Sequence, residues 1–193
     1  MKSAKYLSRG KGKNNMGNVL YLSNKTNSSL KAPISKRIEA KKRLTYLLHT
    51  DLNYIFEEVW ITPYKLHMTF KMDDNKYDLQ MTIDFYNDFV DVLAFINPTV
   101  LTDDYYEETL KTVNYINNYV KADGRFYIDE CKDIVYSLRL PNSMIENTPV
   151  AAIHEIHGAI YYFEDVFQLL IAVATGKKSY DECHDFIDKM WNQ

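Results

Sequence analysis

Two histidines in the segment IHEIHG come closest, in type and spacing, to a catalytic motif. His154 and His157 lie three residues apart, whereas the zinc motif H-E-x-x-H places its histidines four apart. Side chains three apart on a helix are still neighbours, so the pair can share a metal ion. A third ligand would have to come from Asp181, Cys183 or His184 in SYDECHDF. Two histidines hydrogen-bonded at the edge of a packed helix fit the sequence better, so we expect no metal and no other cofactor.

Paired carboxylates recur along the chain and raise general acid–base catalysis as a second candidate chemistry. The pairs are Asp73/Asp74, Asp103/Asp104, Glu107/Glu108 and Asp129/Glu130. Each falls at a turn or in the first turn of an expected helix, where acids are structurally favoured. Cys131 lies among Asp129, Glu130 and Asp133, which disfavour a reactive thiolate. We therefore expect a protein that is not an enzyme.

Charge is distributed very unevenly along the chain. Residues 1–43 hold twelve Lys/Arg and one acid, a net charge of +11, and the remaining residues hold eleven against twenty-five, or −14. The basic segment, interleaved with Tyr6, can contact phosphates nonspecifically, although the acidic body opposes a polyanion. Its candidate binding residues are Lys2, Lys5, Arg9, Lys11 and Lys13. Nucleic acid, an acidic protein surface and the body of the chain itself are the alternative targets.

Sixteen tyrosines and nine phenylalanines are more large rings than a small core can bury. Four of the tyrosines crowd one expected helix, namely Tyr105, Tyr106, Tyr115 and Tyr119. Half-buried rings with hydrated hydroxyls are one interpretation, and a protein-binding face or a dimer interface is the other. These four tyrosines are therefore candidate partner-binding residues.

Composition divides the chain into an arm and one domain. Residues 1–34 are rich in Lys, Asn, Ser and Gly, so we expect a mobile basic arm unless a partner or the body orders it. Residues 35–193 have the length and apolar content of a single domain. Only two cysteines, no apolar signal core, and Glu164 and Asp165 inside the most apolar segment favour a cytoplasmic protein without a membrane span.

The first half of the domain reads as one helix followed by three strands. Apolar residues recur at helical spacing from Ser35 to about Leu52. Alternating apolar residues predict strands in LHMTFKM and YDLQMTIDFY, and FVDVLAFI is apolar enough for a central strand. Tight turns between them predict an antiparallel meander.

The second half predicts a helix, a hairpin and two further helices. The first helix spans about 102–121. Gly124 is expected to stop it, before the hairpin strands RFYID and DIVYSLRL. A long helix over about 149–175, ended by Gly176, precedes a final helix that begins at Ser179 in the capping box SYDE. The order α-β-β-β-α-β-β-α-α predicts an α+β fold, with helices packed on an antiparallel sheet made of a three-stranded meander plus a hairpin.

The span from the meander through TLKTVNYINNYVKADGRFYIDECKDIVYSLRLP into the long helix resembles the YbjN family of bacterial sensory transduction regulators. That family is similar in fold to the class I type III secretion chaperones, with the order α-β-β-β-α-β-β-α. The resemblance covers about residues 36–175, and its most family-like part is the helix that runs into GRFYID. The basic arm and the extra final helix depart from the family pattern.

The resemblance implies a non-enzymatic protein-binding module, a regulator, adaptor or chaperone that holds a segment of a partner protein, often as a dimer. It offers no catalytic residues to carry over to this chain. Two alternatives stay open: an electrostatic nucleic-acid binder that uses the basic arm, and a zinc-dependent hydrolase that uses His154 and His157.

Overall fold

The computed structural model describes residues 35–54, 57–58, 64–72 and 76–191, which all belong to one compact unit. Within these residues the chain forms five α-helices and a short 3-10 turn at Asp103–Tyr105. The helices are α1 (Lys36–Leu52), α2 (Tyr106–Ile116), α3 (Asn142–Asn147), α4 (Pro149–Ala174) and α5 (Tyr180–Trp191). Four of them are the predicted helices, and α3 is an additional six-residue helix before α4.

Six strands of the described residues make one antiparallel sheet in the order β1-β2-β3-β4-β6-β5. They are β1 (Glu57–Glu58), β2 (Lys65–Met72), β3 (Tyr77–Phe85), β4 (Phe89–Asn97), β5 (Arg125–Ile128) and β6 (Ile134–Pro141). The predicted meander is β2–β3–β4, and the predicted hairpin is β5–β6, whose longer strand pairs with β4. The α+β class and the order of the predicted elements are thus confirmed, with the two-residue β1 as an addition.

One face of the sheet is buried under the helices. Along β3, every second residue from Tyr77 to Phe85 is buried, as the two-residue period of a strand requires. The ring of Phe126 on β5 lies 5.0 Å from that of Phe163 on α4, and Tyr77 on β3 lies 5.6 Å from Phe167, also on α4. Helix α4 is therefore the core helix of the helical layer.

Among the described helices, α4 is the one long and apolar enough to cross a membrane by length and composition. In its most apolar 18-residue window, 56% of the residues are buried inside the protein. Such burial is consistent with a core helix of a soluble protein, and the exposed Glu164 and Asp165 lie within the same helix.

The ends of α4 and α5 show which predicted signals operate. Gly176 takes the left-handed conformation, with φ of 69°, directly after α4. The Ser179 N–H donates to a carboxylate oxygen of Glu182 at 2.9 Å, and the Glu182 N–H donates to the Ser179 hydroxyl at 3.4 Å, so the capping box is confirmed. Thr102 precedes the 3-10 turn and Thr148 precedes α4, but neither side chain makes a capping hydrogen bond.

Helix α2 is shorter than predicted because a tertiary contact ends it. The helix stops at Ile116 instead of continuing to about Lys121. The Asn117 side chain donates to the carbonyl of Phe126 and accepts from the N–H of the same residue, both at 2.8 Å. The Asn117 side chain thus forms the two hydrogen bonds with Phe126 that the backbone of a neighbouring strand would form. This contact holds Asn117 against β5, and the helix ends at the residue before it.

Gly124 has a different role from the predicted one. Among the described glycines only Gly176 has a positive φ, so Gly124 is not the left-handed residue of a helix end. A Cβ built at Gly124 would overlap the ring of Tyr136, which is fully buried on β6. Glycine is needed here because the backbone passes directly over that ring.

Candidate protein-binding surface

The two histidines of IHEIHG lie on α4, where His154 is exposed and His157 is half-buried. The Tyr54 hydroxyl, just after α1, is hydrogen-bonded to Nδ1 of His157. Burial lowers the pKa of His157, and the neighbouring His154 lowers it further. The hydrogen bond to Tyr54 occupies Nδ1 of His157, so this atom already has a partner within the protein.

The other proposed metal ligands lie elsewhere in the fold. Cys183 is fully buried on α5, and the His184 ring stacks on Tyr115 of α2 with centroids 4.2 Å apart. In the described ranges no three side chains of the His, Cys, Asp and Glu types come together in a way that could hold a metal ion.

The acidic residues of the β5–β6 turn hold the turn together. One carboxylate oxygen of Asp129 accepts the backbone N–H groups of Cys131 and Asp133, each at 2.9 Å. Lys132 has a φ of 64° and forms an ion pair with Asp103, while Asp133 accepts from Thr99. The carboxylates here are therefore part of the turn structure.

Two glutamates support the start of α5 next to a surface depression of about 440 Å³. Glu108 accepts the N–H of Tyr180 at 2.7 Å, and this hydrogen bond lowers the pKa of Glu108. Hydrogen bonds from Ser179 likewise lower the pKa of Glu182. The exposed Tyr105 also lines this depression. Both carboxylates are therefore occupied in capping a helix.

The predicted tyrosines divide between surface and interior contacts. Tyr105 is 37% exposed and Tyr106 is half-buried. Tyr115 and Tyr119 are also half-buried, and both hydroxyls donate to the same oxygen of Asp188 on α5 at 2.5 Å. These two tyrosines therefore attach the final helix to α2 and to the turn that follows it, and α5 packs more on α2 than on α4.

This arrangement predicts a tyrosine that ionises only at strongly alkaline pH. The hydrogen bond to Asp188 raises the pKa of Tyr115, with smaller contributions from Tyr119 and burial, and the two tyrosines lower the pKa of Asp188. Because this tyrosine has a higher pKa in the folded state than its unfolded pKa of about 10, its hydrogen bond stabilises the fold fully at pH values below 10. This stabilisation is lost as the pH rises through the pKa of the folded state. Asp188→Asn should therefore shift one tyrosine to lower pH in a titration of absorbance at 295 nm.

A matched control is Asp185→Asn, which removes a carboxylate from the same helix near His184 but not from the tyrosine pair. Its titration curve should coincide with that of the wild type. Identical curves for all three proteins would contradict the assignment of Asp188 as the acceptor.

The second face of the sheet has no helix or strand over it in the described part of the chain. Strand register aligns its side chains in four rows that cross the sheet. The two middle rows are Thr69, Gln80, Phe95, Val135 and Tyr127, and His67, Thr82, Leu93, Ser137 and Arg125. The two outer rows are Lys71, Asp78 and Asn97, and Lys65, Asp84, Asp91 and Arg139. We call this surface, with Phe89 at its end, the open face.

The centre of the open face is apolar and nearly free of charge. Leu93 is the middle residue of β4, the third of the five longer strands, and lies between the short side chains of Thr82 and Ser137. Leu93 and Phe95 are half-buried, and Tyr127 is 40% exposed. These apolar groups therefore retain surface that a partner can cover.

The charges in the two outer rows of the open face are paired with one another, whereas Arg125 in a middle row donates to the carbonyls of Ala122 and Gly124. Lys65 lies 3.0 Å from Asp84, and the guanidinium of Arg139 makes two hydrogen bonds to Asp91, at 2.6 and 2.8 Å. Asp84 and Asp91 are directly opposite each other, which is unfavourable for like charges unless each has a cation. Arg139 also covers the ring of Phe89, 4.2 Å from its centroid. The face thus has an apolar centre with a polar rim, the anatomy of a protein interface.

Sequence reasoning identified β4 as a central strand but not its second face as a surface. The sequence does contain a signal for this surface. On the face away from the helices β2 and β3 have mainly polar residues, whereas β4 has the apolar residues Phe89, Leu93 and Phe95. A run apolar on both faces predicts a strand covered on both sides, and the described elements cover only one.

The predicted basic residues Lys2, Lys5, Arg9, Lys11 and Lys13 lie outside the described residues, as does the whole of the arm. The part of the basic segment that is described lies on α1, where Lys36 and Lys42 are exposed. Arg37 stacks on the ring of Tyr64, 3.2 Å from its centroid. Nucleic-acid binding through the arm stays a prediction.

Comparison of the chain with models of known protein families and with curated proteins finds no match. The resemblance to the YbjN family therefore stays a prediction, and function has to be argued from the open face itself.

Proposed function

We propose that this chain is a non-enzymatic, cytoplasmic protein-binding module, a regulator, adaptor or chaperone, that binds a partner protein through the open face. The observation that carries the proposal is the pattern of that face, in which two nearly uncharged rows centred on Leu93 and Phe95 lie between two ion-paired rows. Proteins recognise one another through such a dry centre, which supplies burial, and a polar rim, which supplies orientation. The resemblance to the YbjN family implies the same kind of activity.

The positions of the ionisable groups support a non-enzymatic protein. Glu108 and Glu182 accept backbone hydrogen bonds at the start of α5, Asp188 binds two tyrosines, and His157 binds Tyr54. A catalytic acid or base has to be within reach of a substrate, usually in a cleft. These groups instead cap a helix or join one element of the fold to another.

Site-specific photocrosslinking tests the proposal. A photoreactive phenylalanine analogue at Phe95, in the full chain within its native cells, should form covalent products with protein, which mass spectrometry identifies. The same analogue at Gln168, an exposed position on the opposite, helical side of the domain, is the control. Products from position 95 that Leu93→Arg suppresses would support the open face as the binding surface; equal products from both positions, or none, would contradict it.

A further inference from the structure

We infer that the exposed face of α1 binds single-stranded nucleic acid, with Tyr46 stacking on a base and Lys42 and Arg43 contacting the neighbouring phosphates. Helix α1 belongs to the helical layer, on the side of the sheet opposite to the open face. The inference therefore concerns a different surface and a different kind of partner from the proposed function, and it does not depend on that proposal.

Tyr46 lies at the centre of the exposed face of α1. Helical spacing puts Lys42 and Arg43 one turn before Tyr46, and His49 one turn after it, on the same side of the helix. All four side chains are exposed, and Tyr46, at 67%, is the most exposed large apolar side chain of the described residues. A ring that faces water beside two cations supplies what a single strand needs, a flat surface for a base and positive charge for the backbone.

The cations of this face are available for a partner. The ion pairs within the described part of the chain include none of Lys36, Lys42 and Arg43. Helix α1 carries five Lys/Arg and two acids, Glu39 in its first turn and Asp51 in its last. Residues 1–34, which precede it, carry seven more Lys/Arg and no acid. A phosphate chain can therefore bind these cations without first breaking an ion pair of the domain.

Much of the negative charge lies on elements other than those on which α1 packs. The 3-10 turn, α2 and α5 together hold eight Asp/Glu and two Lys, whereas α1 packs mainly on α3, α4 and β3. The acids of β3, Asp78 and Asp84, lie on the open face and are paired there. Glu146 lies on α3, and Glu155 of α4 accepts the N–H of Asp123 in the loop before β5. The acidic body therefore opposes a polyanion at α1 less than its total charge suggests, because exposed charges are screened over about 10 Å.

The same face suits a membrane, a protein or a duplex less well. The apolar residues Ala40, Leu44 and Leu48 of α1 are buried in the core, so its exposed side has no apolar stripe to enter a lipid interface. A protein partner needs a dry centre of several adjacent apolar groups, and this side of α1 offers one ring. In a duplex the bases are stacked inside the helix, so Tyr46 would find no free base.

Fluorescence anisotropy of labelled oligouridine and oligothymidine, each of about 15 nucleotides, tests the inference with the full chain. Lys42→Glu combined with Arg43→Glu should weaken binding at least tenfold. It should also reduce the slope of log affinity against log salt by about 1.4, since each phosphate contact with a single strand contributes about 0.7. The control is Lys177→Glu combined with Lys178→Glu, which makes the same change of charge at exposed positions before α5 and should bind nearly as the wild type does.

Substitutions of Tyr46 separate stacking from charge. Tyr46→Ala should weaken binding about tenfold and leave the salt dependence unchanged, because it removes a stacked ring but no cation. Tyr46→Phe keeps the ring and should bind as the wild type does. The exposure of this side chain means that neither change takes an apolar group from the core.

A wild type that binds neither oligonucleotide overturns the inference. So does equal binding by the wild type and the variant at positions 42 and 43, which would assign the binding to residues 1–34 alone. Tighter binding to a duplex of the same length, or to vesicles of phosphatidylserine and phosphatidylcholine, would give α1 a different partner and overturn it as well. None of these outcomes affects the photocrosslinking at position 95, so the proposed function fails or stands separately.

Discussion

Gly124→Ala should lower the free energy of unfolding by about 3 kcal/mol, because one added methyl group overpacks the core. The new Cβ would overlap the ring of Tyr136, which is fully buried. That ring cannot retreat easily, since its centroid lies 5.1 Å from that of Phe126 and 6.0 Å from that of Tyr162. Chemical denaturation with circular dichroism would measure the loss as a lower midpoint.

The control is the same substitution at Gly158, within α4. A Cβ there would meet only Tyr162, at an ordinary 3.8 Å. Alanine replaces glycine in a helix interior with a gain of about 0.5–1 kcal/mol, so the two variants should move in opposite directions. Combining Gly124→Ala with Tyr136→Leu should cost less than the sum of the two single changes, because the smaller side chain frees the space. Equal midpoints for Gly124→Ala and the wild type would show that the backbone does not pass over the ring.

Local patterns predicted most of this fold because the chain follows them consistently. The two-residue alternation of β2 and β3 specifies which side chains are buried, and the capping box at Ser179 starts α5 as expected. Contacts between distant residues account for the differences. Asn117 ends α2 early by pairing with Phe126, and a sequence window over the helix alone contains no trace of that partner.

The candidate surface was harder to predict for a related reason. Alternation shows that a strand has two faces, but not which of them a helix covers. Leu93 and Phe95 look like core residues in the sequence, and only the register of the sheet places them between Thr82, Gln80, Ser137 and Val135 on the open face. Tyr115 lies on α2, whereas Tyr119 lies in the turn after it, yet both hydroxyls bind one carboxylate. Their common partner, Asp188, lies about seventy residues further along the chain.

Ile187→Asp should detach α5 from the domain. The substitution should raise the free energy of the state in which α5 is packed on the domain by at least about 3 kcal/mol. Ile187 and Cys183 are fully buried against the core on the inner side of α5. An ionised aspartate at position 187 would have to be buried among apolar groups, so the helix should leave instead. Phe186→Asp is the matched control, because Phe186 is the adjacent residue and is 48% exposed.

The two cysteines of the chain provide the readout. Cys131 is exposed, whereas burial raises the pKa of Cys183 to about 11, so only one thiol of the wild type should react with a disulfide reagent at pH 8. Ile187→Asp should make both react, and Phe186→Asp should leave the count at one. A single reactive thiol in Ile187→Asp would mean that α5 stays docked despite the charge. Two reactive thiols, together with an unchanged sheet signal in circular dichroism, would show that α5 is a separately removable part of the fold.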